Sequence, residues 1–181
     1  MAASVKSMTI VAGLLFFSAT VHGLPAAYQR AARHAGVPPE LLFAVAQQES
    51  GITRHNRLIP WPWTLNVAGK AQRFRSYTAS CRGLRQALKR TSAKRIDAGL
   101  TQLNVGWQSH RVTHPCQLLD PYRNLALAAA ILKEQRRPGE GWLLAAGRYH
   151  HPAGGKTASR YRRGVQRHLQ NLPLSGQEPF L

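Results

Sequence analysis

Apolar residues in this chain recur every three to four positions in segments punctuated by proline and glycine, which commits most of it to amphipathic helices around a shared core. Leu24, Ala27, Tyr28, Ala31, Ala32 and Ala35 form one such stripe, and Gly36 stops it. Pro38 and Pro39 open a second helix, whose buried stripe is Leu41, Leu42, Val45 and Ala46 and whose expected terminator is Gly51. Leu84, Ala87 and Leu88 predict a third helix ending near Lys94. Asp120 and Pro121 form a cap and first turn for a fourth, running to about Arg136. Further helices are expected over Trp142 to Tyr149 and about Thr157 to Leu169. Between Thr53 and Tyr77 neither period is sustained, so this stretch reads as a long loop or a short β-hairpin, and a loop of that length usually serves function. No alternating strand pattern of any length is present. The expected fold is mainly α, in one domain, because 181 residues normally close around one core.

The first 23 residues read as a leader: Lys6, an apolar run from Met8 to Phe17, then small residues to Gly23. Ser18, Thr20 and His22 cut the run short of the roughly 20 apolar residues a membrane span needs. A secretory signal over 1–23, a domain over 24–170 and a flexible tail over 171–181 follow, with a periplasm-like destination and no stable span after cleavage. Export favours oxidised thiols, which makes Cys81 and Cys116 a disulfide candidate. A zinc site from Cys81, His110, His114 and Cys116 is the rival, but the spacing fits no CxxC-type signature and Pro115 interrupts any helix there. No metal and no cofactor are expected.

With 25 lysines and arginines against seven acids, the chain carries a formal charge of +18, which points to an anionic partner or surface. Nucleic acid, lipid headgroups and the bacterial wall all qualify. Cations such as Arg82, Arg85, Lys89, Arg90, Arg160, Arg162, Arg163 and Arg167 read most simply as solvated helix faces.

The scarce acids are more informative. Glu40 and Asp120 sit at helix starts, Glu134 in a basic helix end, and Glu140 and Glu178 among glycine and proline. Glu49 has no such explanation. It lies at the C-terminal end of an apolar helix, where the dipole disfavours a carboxylate, and burial against leucine and valine would raise its pKa further. A carboxylic acid kept protonated can protonate a leaving oxygen. The plainer reading is a surface glutamate at a frayed helix end.

Three ordered stretches bear on that choice: Glu49-Ser50, GLTQLN from Gly99 to Asn104, and AGRYH from Ala146 to His150 with Tyr161 downstream. Together they resemble the motifs of the transglycosylase SLT domain, a lysozyme-like helical family. The segment Trp61-Pro62-Trp63-Thr64-Leu65-Asn66 resembles the subgroup carried by integrating conjugative elements and type IV secretion systems. The resemblance implies a monomeric lytic transglycosylase in which Glu49 is the catalytic acid and base on peptidoglycan, giving a 1,6-anhydro product without a second carboxylate. It implies that Ser50 holds Glu49, that Gln102 and Asn104 line the sugar site, and that Tyr149 and Tyr161 orient the acid or the substrate. Trp61 and Trp63 would stack on sugars, or simply pack their loop. A role in opening the wall for conjugation or secretion components follows, with no nucleic-acid partner.

This sequence departs from the family pattern at Thr101, where methionine is usual, and at His150, where asparagine is usual. The first is expected to alter packing only, and the second to alter the donors in that corner. His150 and His151 otherwise read as loop surface residues. Two other functions remain open: a hydrolytic muramidase in which Asp97 activates water, and a basic module that binds wall or DNA with little turnover.

Overall fold

The computed structural model describes residues 23–172. The expected leader, except Gly23, and the tail beyond residue 172 lie outside the described residues. No helix among those described is long and apolar enough to cross a membrane.

Among the described residues six α-helices form: α1 Ala26–Ala35, α2 Pro39–Ser50, α3 Tyr77–Leu88, α4 Pro121–Glu134, α5 Trp142–His150 and α6 Gly155–Gln170. Their ends follow local chemistry. Gly36 closes α1 in a left-handed conformation (φ 72°), the Ser76 side chain accepts from the Ala79 N–H to start α3, and that of Asp120 accepts from the Arg123 N–H to start α4. The third helix ends at Leu88, short of Lys94. A 3₁₀ turn at Ala93–Arg95, capped by Ser92, takes up the remainder.

The segment expected as a loop or one hairpin is two hairpins. β1 Gly51–Arg54 pairs with β2 Arg57–Pro60, and β3 Thr64–Val67 with β4 Lys70–Arg73. Both tight turns have positive φ at their two central residues, His55 and Asn56 in one, Ala68 and Gly69 in the other, which matches the twist of antiparallel strands. β3 also pairs with β5 Ile96–Ala98, and β5 with β6 Leu103–Asn104, giving a sheet in the order β4-β3-β5-β6. Strands of two to four residues are too short to display an alternating pattern. β5 and β6 lie beyond the stretch expected to hold a hairpin, and the mainly α architecture stands.

α2 runs through the core, with Leu41, Leu42, Ala44, Val45 and Ala46 fully buried. It touches α1, α4 and α6 on its sides and runs directly into the first hairpin. A disulfide joins Cys81 of α3 to Cys116, across 35 residues, so the sulfurs that a zinc site would use are bonded to each other.

One buried amide fastens the sheet to the helices. Asn124 of α4, fully buried, donates to the carbonyls of Ala98 (3.0 Å) and Leu118 (2.8 Å), and its side-chain oxygen accepts from the backbone N–H (3.0 Å) and the hydroxyl (2.8 Å) of Thr101. All four bonding positions are used. Gly99 makes room for it: with φ 86°, a Cβ there would lie 2.2 Å from the Asn124 side-chain nitrogen. Thr101 therefore does more than alter packing, because its hydroxyl completes this network. Asn124→Ala should lower unfolding free energy by at least about 3 kcal/mol in urea denaturation, since it strands several buried polar groups at once.

Candidate active site

The turn held by Asn124 carries two further bonds that reach the acid. Ser50, fully buried, places its hydroxyl 2.6 Å from the Leu100 carbonyl and 3.2 Å from that of Ala46. A hydroxyl has one proton, and the shorter contact takes it. Ser50 therefore pins the last turn of α2 to the Gly99–Asn104 segment; it neither bonds to Glu49 nor reaches solvent, which corrects its reading as a residue that grips the acid or the substrate. Tyr149 of α5 donates its hydroxyl to the Thr101 carbonyl at 2.8 Å. Glu49 thus sits at a junction of α2, the sheet and α5.

α6 closes the other side. Gly164 packs so tightly on α2 that a Cβ would lie 2.4 Å from the Gln48 Oε1, and a Cβ on Gly147 of α5 would lie 3.1 Å from the Ala158 carbonyl oxygen of α6. This approach brings the buried Tyr161 to the acid. The Tyr161 hydroxyl makes no hydrogen bond that closes with full geometry, yet it is close enough to attract the Glu49 carboxyl. His150 stacks flat on Tyr161 (centroids 4.4 Å apart, planes within 4°) and places Nδ1 3.9 Å from Glu49 Oε1. His150 is therefore no loop residue. It ends α5 beside the acid, with 43% of its side chain exposed.

The electrostatics follow from this enclosure. The Glu49 side chain is only 15% exposed, and desolvation pushes its pKa from 4.5 up to about 8, with Tyr161 pulling it down and the Asp97 charge adding to the rise. The direction agrees with the sequence reading, but burial is the leading cause. Asp97 of β5 is also raised by burial, against a hydrogen bond from Asn104 (2.9 Å) and the nearby His150. Burial and His151 lower His150, opposed by Asp97. Tyr149 and Tyr161 are held protonated, chiefly by burial and then by the Glu49 charge. The group can hold a proton on Glu49 near neutral pH, flanked by two phenols and an imidazole.

The other sequence candidates sit around this centre with more structural duties. Gln102 (φ 48°) donates to the carbonyls of Gly99 (2.8 Å) and Thr64 (3.2 Å). Asn104 donates to Asp97 and to the Lys94 carbonyl, and accepts from the N–H groups of Gly106 and Trp107. Trp61 and Trp63 are half-buried and meet edge to face at 6.0 Å, with the Trp61 indole donating to the Phe74 carbonyl at 2.8 Å. The Trp63 indole N–H is buried without a partner among the described residues. Asn124 escaped the sequence reading altogether, since one asparagine inside an apolar helix carries no local signal.

Two outcomes follow. An acid whose folded pKa is raised weakens the fold at high pH: below about pH 4.5 both states hold the proton, and stability falls as pH rises toward about 8. Glu49→Gln removes that penalty, so urea midpoints should show no gain at pH 4 and a gain of about 2–4 kcal/mol above pH 8. For His150, loss of the stack should free Tyr161 and relieve its downward pull on Glu49. His150→Ala should then move the titration of the Glu49 carboxyl, followed by carbon NMR, to higher pH, and His150→Phe, which keeps a flat ring, should restore it.

Comparison with known proteins identifies the family. The family model described as the transglycosylase SLT domain matches residues 26–171. No curated protein and no solved structure matches the chain. The match spans every described helix and both sheets, from the start of α1 to the end of α6, with Glu49, the Gly99–Asn104 turn, Tyr149 and Tyr161 inside it, and the chain belongs to the transglycosylase SLT domain family.

Proposed function

We propose that the chain is a peptidoglycan lytic transglycosylase in which Glu49 serves in turn as acid and base. The observation that carries the reading is the enclosed Glu49 carboxyl, protonated up to about pH 8 by burial. Such a group holds the proton that departure of a sugar oxygen requires. Members of this family are lytic transglycosylases.

The chemistry balances on that one carboxyl. Glu49 gives its proton to the oxygen linking N-acetylmuramic acid to N-acetylglucosamine, and the bond from that oxygen to the muramyl C1 breaks. The C6 hydroxyl of the same muramyl residue then bonds to C1, and its proton returns to Glu49. The products are a free N-acetylglucosamine hydroxyl and a 1,6-anhydro ring, with no water consumed. Tyr161, kept protonated beside the acid, can orient the carboxyl as it changes charge, while Tyr149 holds the Thr101 carbonyl of the adjoining turn.

Asp97 is the residue on which this reaction and hydrolysis would differ. A base that activates water must be free to reach it, whereas the partly buried Asp97 carboxyl is engaged by the Asn104 amide at 2.9 Å. This supports the anhydro route over the muramidase reading. The wider setting we propose is the periplasm, where the enzyme would open the wall for a conjugation or secretion apparatus; the Trp61–Asn66 segment is the feature that suggests it.

Mass spectrometry of digested sacculi should show anhydro-muramyl ends, and Glu49→Gln should reduce their formation at least about a thousandfold. Reducing muramyl ends alone would refute the transglycosylase assignment. The wild-type rate should fall as pH rises through about 8, when Glu49 loses its proton.

A further inference from the structure

α6 presents two different faces. Ala158, Tyr161, Val165 and Leu169 are buried, and Tyr161 meets the acid. On the other side Lys156, Arg160, Arg163 and Arg167 are all exposed, at intervals of four, three and four residues. That spacing sets them one above another along a single face, in a line about 16 Å long at the helical rise. The helix contains no acid. Among the described residues none of the four forms an ion pair, while the exposed Glu134 and half-buried Glu140 are taken by Arg111 and Arg148. Like charges at four-residue spacing destabilise a helix. The stripe therefore weakens its own helix unless an anion offsets it.

Beside the stripe, a groove of about 690 Å³ runs between α5 and α6, lined by Lys156, Arg160 and Arg163 together with Leu144, Gly147 and Ser159. None of the residues grouped around Glu49 lines it. It contains no aromatic ring, so it lacks the stacking platform on which single-stranded nucleic acid is usually held. Guanidinium groups in a row suit carboxylates, which they bind through paired N–H donors. Peptidoglycan supplies carboxylates at regular intervals on its stem peptides, and the helix that brings Tyr161 to the acid turns its cationic face outward, away from that site.

We propose that the Lys156–Arg160–Arg163–Arg167 face docks the carboxylate-bearing stem peptides of strands adjacent to the one being cut, tethering the enzyme to the wall. The proposal rests on the peptidoglycan reading above, and the two can fail separately. Binding is measured by co-sedimentation with intact sacculi, in a Glu49→Gln background so that nothing is digested. Substituting all four cations with glutamine should weaken binding at least about tenfold in low salt and flatten its salt dependence. A control with equal charge loss on α3 and the turn that follows it, at Arg82, Arg85, Lys89 and Arg90, should change it less than about threefold. Turnover of short soluble glycan by the α6 variant with Glu49 intact should be unchanged, and anhydro ends in that assay report on the transglycosylase reading independently.

Unchanged sacculus binding, or an equal loss in the α3 control, overturns the proposal. So does undiminished binding of the Glu49→Gln protein to sacculi stripped of stems by an amidase. Competition by duplex DNA that the four substitutions abolish, together with sacculus binding they leave intact, would assign the face to nucleic acid instead.

Discussion

The Asn124 amide is the interaction on which the active centre depends. A buried amide with two donors and two acceptor positions filled is fixed in orientation, because any rotation leaves polar groups unpaired in the core. Its partners belong to β5, to the Gly99–Thr101 turn and to the 3₁₀ segment before α4, so it sets the position of that turn relative to the helices. From the turn, the Leu100 carbonyl engages Ser50 and the Thr101 carbonyl engages Tyr149. Glu49 is thus placed through the Leu100 and Thr101 carbonyls of a turn that Asn124 anchors, and no side chain grips it directly.

This indirect support suits what the carboxyl has to do. An acid clamped by strong donors would ionise at low pH, because donors favour the charged form. Here Ser50 spends its proton on Leu100, Tyr149 spends its own on Thr101, and Tyr161 only approaches the carboxyl. Burial is left as the dominant influence, and it favours the protonated state. Asp97, nearby and itself partly desolvated, adds to the effect, whereas Asn104 engages Asp97 and leaves Glu49 alone. The same enclosure costs stability at high pH, a cost commonly found where a site is arranged for chemistry.

The helical frame was legible locally. Gly36, Ser76 and Asp120 end or start their helices by chemistry contained within a few residues, and the apolar spacing of α2 marks its buried side. The strands were harder to read. Each is two to four residues long, and the four-stranded sheet joins β3 to β5 across almost thirty residues, so its stability lies in pairings that no local pattern displays. The tight turns at His55-Asn56 and Ala68-Gly69 lack the Asn-Gly or Asp-Gly pair that usually signals a hairpin. His150 was expected on a loop for a related reason: the sequence places it just after an expected helix end, and only the packing of α5 on α6 lays it on Tyr161.

By itself the sequence determined a mainly helical chain, the helices that carry Glu49, Tyr149 and Tyr161, the excess of positive charge, and the ordered motifs that mark the family. Those properties depend on spacing, capping and composition, which are local. Tertiary structure alone decided that Glu49 is desolvated, that Ser50 faces a carbonyl instead of the acid, that Thr101 and Asn124 complete each other's hydrogen bonds, and that the cations of α6 stand together on the face opposite the site. Each of these joins groups distant in the chain or depends on which side of a helix the core occupies. Burial and hydrogen-bond satisfaction are properties of the packed molecule, and they exist only once the chain has closed.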